Sequence, residues 1–482
     1  MAEALTPDIC VVGGGPGGIA AALAAAAEGV PVVLIERAGM GGSDLASGTI
    51  PSKALVAAAG IYEALRLGPV VGVTAAPLQV NLGKVREHIE AVTGQVSVGI
   101  SAERLTALGV TVIAGEARFR DRRTLSAGER LVRPRRVILA VGSRPSIPAV
   151  PGLDTVEYMT PADGGFDLSR RPAHLIILGA DRHALELAQA HNRLGIDTTV
   201  VAEGPALAND DPELAALVVD RLRAEGIRVR LNVRIASVAR RKGGIRFLVT
   251  GTDKSDTEAT GGEIAVDGSH LLVVAGRRPN VDDLGLGAAG IQHDGSGIAV
   301  DRQLRTTNHR VYAIGDAVAG PASAGRAEYQ AGRAVKSILY RWPFPDDPGA
   351  APAVAFTDPG LASVGLSEGE ARRRHGVVRT LRFPFVENDR ALIERLPAGA
   401  IKVVADRRGR ILGAAIVGRD AAELIMPWSL AVANRLPLSA MAALVAPHPT
   451  RSGIARRVAA LPEAGLTPGW RRRIIELLRK FG

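Results

Sequence analysis

The stretch DICVVGGGPGGIAAALAAAAEGVPVVLIE, residues 8–36, reads as a buried strand, a glycine turn, an alanine-rich helix and a second buried strand. Its spaced glycines, Gly13, Gly15 and Gly18, form a complete G-x-G-x-x-G. Glycine is required where the chain turns sharply, where backbone approaches a pyrophosphate and where the helix packs on the strand. The helix N-terminus offers free N–H groups to phosphate, and Glu36, ending the second strand, can accept hydrogen bonds from ribose hydroxyls. The pattern predicts a dinucleotide-binding βαβ unit.

A second unit of the same design, AHLIILGADRHALELAQAHNRLGIDTTVVAE, spans residues 173–203. Here the motif reads Gly179, Asp181 and Ala184, so a negatively charged side chain stands at the pyrophosphate position. Two interpretations stay open. Asp181 repels the phosphates, by about 4 kcal/mol at ~4 Å and a dielectric near 20, or it turns outward as a helix N-cap while Arg182 offsets its charge.

The candidate nucleotide contacts of the second unit are Gly179, at the turn, and Glu203, near the end of its second strand. A carboxylate at Glu203 can accept hydrogen bonds from an adenosine ribose, and no basic cluster suits a 2′-phosphate, so NAD is favoured over NADP. NAD(P)H binding is therefore predicted, with Asp181 as the feature that opposes it.

The remaining chain continues this pattern and then changes. LLVVAGRRPN (271–280) and VYAIGDAV (311–318) read as short apolar strands, RWPFPDDPGAAP (341–352) as a boundary, and the later alternation as an antiparallel sheet. The predicted fold is α/β, with two doubly wound Rossmann-like domains and a C-terminal α+β domain. The predicted parts are 1–150 and 266–345 for the first domain, 151–265 for the second, 346–465 for the third and 466–482 for a C-terminal helix.

Composition narrows the classes of function. The 482 residues carry a net charge of +10, yet aromatic residues make up 3% and do not interleave with basic runs, which argues against a nucleic-acid surface. The single cysteine, Cys10, excludes an internal disulfide and fits a reducing compartment. No signal peptide, no apolar run of membrane-spanning length and no metal site are recognised. A cytoplasmic location is predicted.

Eight motifs occur in the order typical of the pyridine nucleotide–disulfide oxidoreductases, and the chain resembles that family, which includes dihydrolipoyl dehydrogenase, mercuric reductase and soluble transhydrogenase. They are the first glycine turn, GTIPSKAL, VILAVGSRP, AGRRPN, VYAIGDAV, FTDPGLASVGLSEGEA, GRILGAAIVG and HPT. The resemblance implies that the first domain binds FAD, that the third is a dimerisation domain and that the protein is a homodimer. The FAD contacts that it implies are Gly13, Gly15, Gly18, Glu36, Lys53, Gly142 and Asp316.

The same resemblance implies that Lys53 lies near the flavin and pairs with Glu186, on the first helix of the second domain. A cation beside the flavin would stabilise the anionic reduced ring. Both residues are therefore candidates for a role in catalysis.

The loop GGSDLASGTIPSKAL, residues 41–55, departs from the family. The family's two redox cysteines fall on Asp44 and Thr49, and neither side chain forms a thiolate or a disulfide. Cys10, inside the first strand pattern, is predicted to be an inert buried residue. Disulfide reduction is excluded, so the predicted electron path ends at the flavin.

The HPT motif keeps His448 and Thr450, but Gly453 stands where the family has the glutamate that orients this histidine. That carboxylate stabilises the charged imidazole, and there is no thiol here for the histidine to deprotonate. His448 is a candidate catalytic residue, with a structural role at the dimer interface as the alternative.

The segment LTPGWRRRIIELLRKFG, residues 466–482, has the pattern of an amphipathic basic helix, capped by Thr467 and Pro468. One reading is peripheral contact with the anionic inner face of a membrane. The other is a helix that docks on its own domain with its arginines outward. The apolar stripe consists of Ile474, Leu477, Leu478 and Phe481.

Two classes of function follow from these patterns. The first is an FAD-dependent oxidoreductase that passes electrons from NAD(P)H through flavin directly to a quinone, a small molecule or a protein carrier, with a soluble transhydrogenase as a variant. The second is a non-catalytic flavin-binding structural or partner subunit. The altered loop, HPT motif and second glycine turn favour the second class, whereas the intact FAD motifs favour the first.

Overall fold

The computed structural model describes residues 4–74, 77–163, 171–251, 263–320, 323–347, 349, 351–461 and 469–480. These residues form three domains, and the second is inserted into the first. The opening segment of the first domain contains β1 (Ile9–Val12), α1 (Pro16–Ala27), β2 (Val32–Glu36), α2 (Gly42–Ala46), α3 (Thr49–Leu67), α4 (Leu82–Gly99), α5 (Ala102–Ala107), β3 (Val110–Ala114), β4 (Ala117–Phe119), β5 (Leu125–Ala127), β6 (Arg130–Val132), β7 (Arg136–Leu139) and β8 (Ser143–Pro145).

The second domain and the return to the first follow in chain order. The second contains β9 (Leu175–Leu178), α6 (Arg182–Arg193), β10 (Thr198–Val201), α7 (Pro212–Ala224), β11 (Arg228–Arg230), β12 (Arg234–Arg241), β13 (Gly244–Thr250), β14 (Ile264–Gly268) and β15 (His270–Val273). The return contains β16 (Arg277–Pro279), α8 (Leu286–Ala289), β17 (His293–Asp294), β18 (Gly297–Ile298), β19 (Val311–Ala313) and α9 (Ala324–Tyr340).

The sheet of the first domain is parallel, in the order β19-β7-β1-β2-β3. Strand β1 is fully buried because α1 and α9 cover one face of the sheet and the antiparallel strands β4, β5 and β6 cover the other. It pairs with β2 on one side and β7 on the other, and the chain order reverses at this point. A ligand of such a sheet binds at the carboxyl ends of the strands, at this switch point.

The second domain repeats this arrangement with the parallel order β11-β10-β9-β15. The two sheets confirm the predicted pair of Rossmann-like domains. The predicted boundary at residue 265 is too early, because β15 pairs with β9, as in Leu271 with Ile176. The pattern of an apolar strand predicts its existence but not the sheet that it joins. The chain returns to the first domain at β16, which pairs with β8.

The third domain is α+β, as predicted. It contains β20 (Ala353–Ala355), β21 (Gly360–Gly365), α10 (Glu368–His375), β22 (Arg379–Pro384), α11 (Asp389–Ile393), β23 (Ala400–Ala405), β24 (Ile411–Gly418), α12 (Ala421–Leu424), α13 (Met426–Ala433), α14 (Leu438–Ala442) and α15 (Gly453–Ala459), and α16 (Gly469–Leu478) follows. Its antiparallel sheet has the order β20-β21-β24-β23-β22. Trp428 and Phe385 are buried in its core.

The C-terminal helix α16 leaves its apolar stripe uncovered: Ile474, Leu477 and Leu478 are exposed. The structure therefore does not show this stripe docked on the chain's own domains. The predicted cap, Thr467 and Pro468, and the last stripe residue, Phe481, lie outside the described residues.

Among the residues that the structure describes, one helical stretch, Gly42–Val71, is long and apolar enough to cross a membrane by length and composition, with a mean hydropathy of 1.4. The expectation that no run reaches such a length is therefore wrong. In this fold the stretch packs against the second domain, because its Lys53 pairs with Glu186 and its Glu63 pairs with Arg221 at 2.8 Å.

Candidate functional site

The first glycine turn has the geometry that its motif requires. Gly13 has a φ of 106°, and a Cβ there would overlap the Ala140 backbone. A Cβ at Gly18 would overlap the carbonyl oxygen of Gly13. At Gly15, by contrast, a Cβ would meet no described atom within 4 Å, and no side chain caps helix α1. The turn therefore leaves open space, at a helix N-terminus that no side chain caps, where a pyrophosphate can bind, and it fits a dinucleotide.

The two predicted acids lie at the same edge of the sheet. Glu36 ends β2, where its carboxylate accepts hydrogen bonds from the backbone amides of Gly14 and, at 2.7 Å, Ala38. Asp316 follows β19 in the 3-10 turn Gly315–Ala317. Because β1, β2 and β19 are parallel, their carboxyl ends place Glu36, Asp316 and the glycine turn at the same edge of the sheet.

Asp316 has protein partners that the motif did not reveal. The hydroxyl of Ser143, which follows Gly142 after β7, donates to Asp316 at 2.6 Å. The guanidinium of Arg277 donates to the Ser143 hydroxyl at 2.7 Å and lies 3.8 Å from the Asp316 carboxylate. The same guanidinium donates to Ser43 in the 41–55 loop at 3.1 Å. Arg277 thus links the loop to the carboxylate of Asp316, which is a predicted FAD contact.

Lys53 and Glu186 form the predicted pair across the domain boundary. Glu186 is 2% exposed; its Oε2 accepts from Lys53 and its Oε1 accepts from the Phe356 amide at 2.7 Å. The Lys53 ammonium also lies 4.8 Å from the centre of the Phe356 ring. Burial acts to raise the pKa of Glu186, but the hydrogen bond from His183 and the charge of Lys53 outweigh it, and the pKa is lowered. The carboxylate is therefore ionised and holds Lys53 in place.

The 41–55 loop lies against the first glycine turn. A Cβ at Gly42 would come within 3.1 Å of the Gly15 Cα. Asp44, in the first turn of α2, is half-buried, and Thr49 begins α3. Burial and the Asp44 carboxylate together raise the pKa of Glu328 on α9. The Asp44 and Glu328 carboxyl groups are therefore close enough for the charge of one to act on the other.

Cys10 is fully buried in the middle of β1. Burial raises the pKa of its thiol to about 12. A thiol in this state is neither a nucleophile nor an electron relay at neutral pH, as the sequence predicts.

The second glycine turn fits a dinucleotide in part. Gly179 has a φ of 130°, and Ala184 is fully buried where the helix meets the strand. Asp181, however, is the N-cap of α6, with its Oδ1 accepting from the Ala184 amide at 2.9 Å. Arg182 does not offset this charge, since it donates to Asp210 at 2.6 Å. The capping half of the second interpretation is therefore confirmed, the offsetting charge of Arg182 is not, and the Asp181 carboxylate lies at the N-terminus of α6.

The surroundings of Asp181 act against its charge. Burial raises the pKa of the Asp181 carboxyl, and the neighbouring Glu186 carboxylate acts in the same direction. Glu203, the candidate ribose contact, is exposed after β10, and its Oε1 accepts from the Ile235 amide at 3.2 Å.

His448 lies in the third domain, apart from the residues above. Its imidazole is 73% exposed in a cavity of about 600 Å³ lined by residues of that domain. Gly453, which stands where the family has its glutamate, begins α15 and supplies no carboxylate. The Asp389 carboxylate of α11, however, lies 3.8 Å from the His448 Nε2 atom. Asp389 also pairs with Arg457 at 3.3 Å. A carboxylate therefore stands near His448 on an element distant in sequence.

Sequence reasoning missed the contacts of Ser143, Arg277, Phe356 and Asp389. Three of these residues lie inside motifs that were recognised, VILAVGSRP, AGRRPN and FTDPGLASVG, so a local signal existed for them. Their partners are separated by more than a hundred positions, as in the hydrogen bond from Ser143 to Asp316. Asp389 lies outside the recognised motifs, so no local signal pointed to it.

Comparison with known proteins agrees with this geometry. The sequence profile of the pyridine nucleotide-disulphide oxidoreductases matches residues 7–331, and that of the family's dimerisation domain matches residues 351–458. Dihydrolipoyl dehydrogenase of Geobacillus stearothermophilus is 32% identical over 463 residues, which cover 95% of this chain and 96% of that protein. Mercuric reductase of Acidithiobacillus ferrooxidans is 34% identical over 461 residues, which cover 92% of this chain and 80% of that protein.

A solved structure shows the same fold over nearly the whole chain. LpdA from Mycobacterium tuberculosis superimposes with a TM-score of 0.83 at 29% sequence identity, covering 94% of this chain and 99% of that one. With two matching profiles and relatives aligned along almost its full length, the chain belongs to the pyridine nucleotide-disulphide oxidoreductase family, whose members are oxidoreductases that use FAD and NAD(P)H.

Proposed function

We propose that this protein is an FAD-dependent oxidoreductase in which electrons pass from a reduced nicotinamide through the flavin directly to an acceptor, without a disulfide step. The observation that carries the proposal is that the chain has no pair of cysteines and that its single thiol is buried. The redox-loop positions are Asp44 and Thr49, and the single cysteine, Cys10, is buried with a pKa near 12. The chain therefore lacks the two thiols that a dithiol relay of electrons requires.

The chain's own residues would bind the cofactor and set its electrostatics. The α1 N-terminus and the open space at Gly15 would hold the FAD pyrophosphate, while Glu36 and Asp316 would accept from its hydroxyl groups. Lys53, held by Glu186, would keep a positive charge beside the ring. FAD supplies a ring that can take a hydride, which is two electrons with one proton, from a dihydronicotinamide. The same ring can then pass the two electrons to the acceptor.

The acceptor would be a quinone, a small molecule or a protein carrier, because each takes electrons from flavin without a thiol. The soluble transhydrogenase variant is less well supported. Such an enzyme uses the second nucleotide site for both donor and acceptor, and in that site the Asp181 carboxylate caps the helix N-terminus that would hold a pyrophosphate.

The assembly that we propose is a homodimer formed through the third domain, in which the family's dimerisation profile matches. The exposed stripe of α16, with Arg473, Arg479 and Lys480 beside it, supports a peripheral membrane contact as part of the same proposal.

The experiment that tests this function is anaerobic reduction of the purified flavoprotein. A reduced nicotinamide is added, and the flavin absorbance is followed before and after addition of a water-soluble quinone. We expect bleaching by the donor and recovery with the quinone, both unchanged after treatment with iodoacetamide. Flavin that stays oxidised with every nicotinamide donor would instead support the non-catalytic flavin-binding subunit.

A further inference from the structure

The two glycine turns share one backbone geometry but differ in what occupies the start of the helix. Gly15 precedes α1 with φ −76° and ψ −178°, and Asp181 precedes α6 with φ −76° and ψ 179°. Each helix has 12 residues. Where Gly15 leaves space free of described atoms, the Asp181 side chain supplies its Oδ1 to the Ala184 amide at 2.9 Å. The second turn thus provides its own anion for the helix N-terminus.

From this relationship we infer that Asp181 is a specificity-determining residue. It takes the place of a ligand's pyrophosphate, so the second domain favours a reduced nicotinamide that lacks the ADP half over intact NADH or NADPH. The inference rests on the function proposed above. A carboxylate and a phosphate compete for the same N–H groups and repel each other, and a donor without a pyrophosphate avoids both costs.

Arg182 does not remove this repulsion. Arg182 donates to Asp210 at 2.6 Å, and His183 Nδ1 lies 3.6 Å from the Glu186 carboxylate. The Arg182 side chain is thus paired with a carboxylate other than Asp181, whereas His183 acts on both Asp181 and Glu186. An arriving pyrophosphate would therefore meet an exposed carboxylate whose neighbouring arginine already has a partner.

The remainder of the second turn keeps the shape of a nucleotide site. A Cβ at Gly179 would overlap the Val274 carbonyl, so glycine is required there as at Gly13. Ala184 is buried at the helix–strand contact, and Glu203 is exposed at the end of the next strand. Asp181 is therefore the residue of the second turn that stands where Gly15 stands in the first, and Asp181→Gly would remove its carboxylate.

The binding test uses the FAD-loaded protein and calorimetry with ADP-ribose, which carries the pyrophosphate but no nicotinamide. We expect Asp181→Gly to bind ADP-ribose about 100-fold more tightly than the natural chain, and adenosine to bind equally to both. Asp181→Asn, which keeps a capping side chain without the charge, should give part of the gain. Ser101→Gly, which removes the N-cap of α5, is the matched control and should change neither affinity. Equal ADP-ribose affinity in the natural chain and Asp181→Gly would overturn the inference.

The kinetic test compares NADH with 1-benzyl-1,4-dihydronicotinamide, a hydride donor without phosphates, in anaerobic flavin reduction. Asp181→Gly should raise the efficiency of NADH by about 100-fold and leave that of the benzyl donor unchanged. A natural chain that uses NADH as efficiently as Asp181→Gly would overturn the inference. If neither donor reduces the flavin in any variant, the proposed function fails, while the calorimetry still decides the role of Asp181.

Discussion

The ammonium of Lys53 donates to one oxygen of Glu186, whose other oxygen accepts from the Phe356 amide at 2.7 Å. Lys53 lies on α3 of the first domain, Glu186 on α6 of the second, and Phe356 precedes β21 of the third. One buried carboxylate therefore joins all three domains. A change there should affect both the position of Lys53 and the chemistry that it supports.

Replacement of this lysine should destabilise the reduced flavin. Lys53→Met removes the cation that would stabilise an anionic reduced ring, and we expect the two-electron potential to fall by about 30 mV, near 1.4 kcal/mol. Potentiometric titration with a reference dye measures the shift. Lys84→Met, which removes an exposed lysine paired with Glu87 on α4, is the matched control. A potential that is the same in both variants would remove Lys53 from the proposed mechanism.

The difference between the two glycine turns makes a reciprocal prediction for FAD. Gly15→Asp places a carboxylate at the N-terminus of α1, in the position that Asp181 holds at α6. Competition with the cofactor pyrophosphate should weaken FAD binding about 100-fold. The ratio of flavin to protein absorbance after purification and dialysis reports the loss. Full retention of FAD by Gly15→Asp would contradict the role given to both positions.

Asp181 should also lower stability at neutral pH. Burial raises its folded-state pKa above the ordinary value of 3.8, so the stability linked to its neutral form is present at low pH and lost as pH rises through the folded pKa. Asp181→Asn keeps a good N-cap and cannot ionise. We expect its stability advantage over the natural chain to be larger at pH ~7.5 than at pH ~4.5, as measured by urea unfolding. An advantage that does not grow with pH would show that burial of this charge costs nothing.

A charged cluster between the second and third domains, in which Lys402 is buried and Glu368 is half-buried, should show the opposite pH dependence. The hydrogen bond from Arg372 and the contacts with Lys402 lower the pKa of Glu368 from 4.5 to about 2. Because the folded pKa is lowered, the stability is present above pH ~4.5 and is lost as pH falls towards 2. Glu368→Gln should therefore be less stable than the natural chain near neutral pH, and the difference should shrink in acid.

Urea unfolding at several pH values tests this prediction for Glu368. The matched control is Glu87→Gln, at an exposed pair on α4, which should be nearly neutral at every pH. A stability difference for Glu368→Gln that is constant between pH ~6 and pH ~3 would show that the ionised carboxylate makes no net contribution.

Thiol reagents should not affect this enzyme. The buried Cys10, with its pKa near 12, should not react with Ellman's reagent in the folded protein and should react after denaturation. Cys10→Ser should keep its rate of flavin reduction. Rapid labelling of the native protein, or loss of turnover on labelling, would contradict a flavin-only electron path.

Much of the fold could be predicted from local patterns. The glycine turns, the apolar strands and the alternation in the third domain each depend on residues close together in sequence, because backbone conformation and burial act over short distances. The boundary at residue 265 was wrong because it depends on a contact between residues far apart in sequence. Whether β15 joins the second sheet depends on its pairing with β9, nearly a hundred positions earlier.

The absence of a cysteine pair was determined by the sequence itself: Asp44 and Thr49 stand in the loop, and a chain with the single cysteine Cys10 cannot form an internal disulfide. The tertiary structure decided what the remaining charges do. It committed Arg182 to Asp210 and left Asp181 as the cap of α6, and it brought Asp389 beside His448. Such partners are chosen by the packing of elements that are distant along the chain, and a local sequence pattern carries no record of that packing.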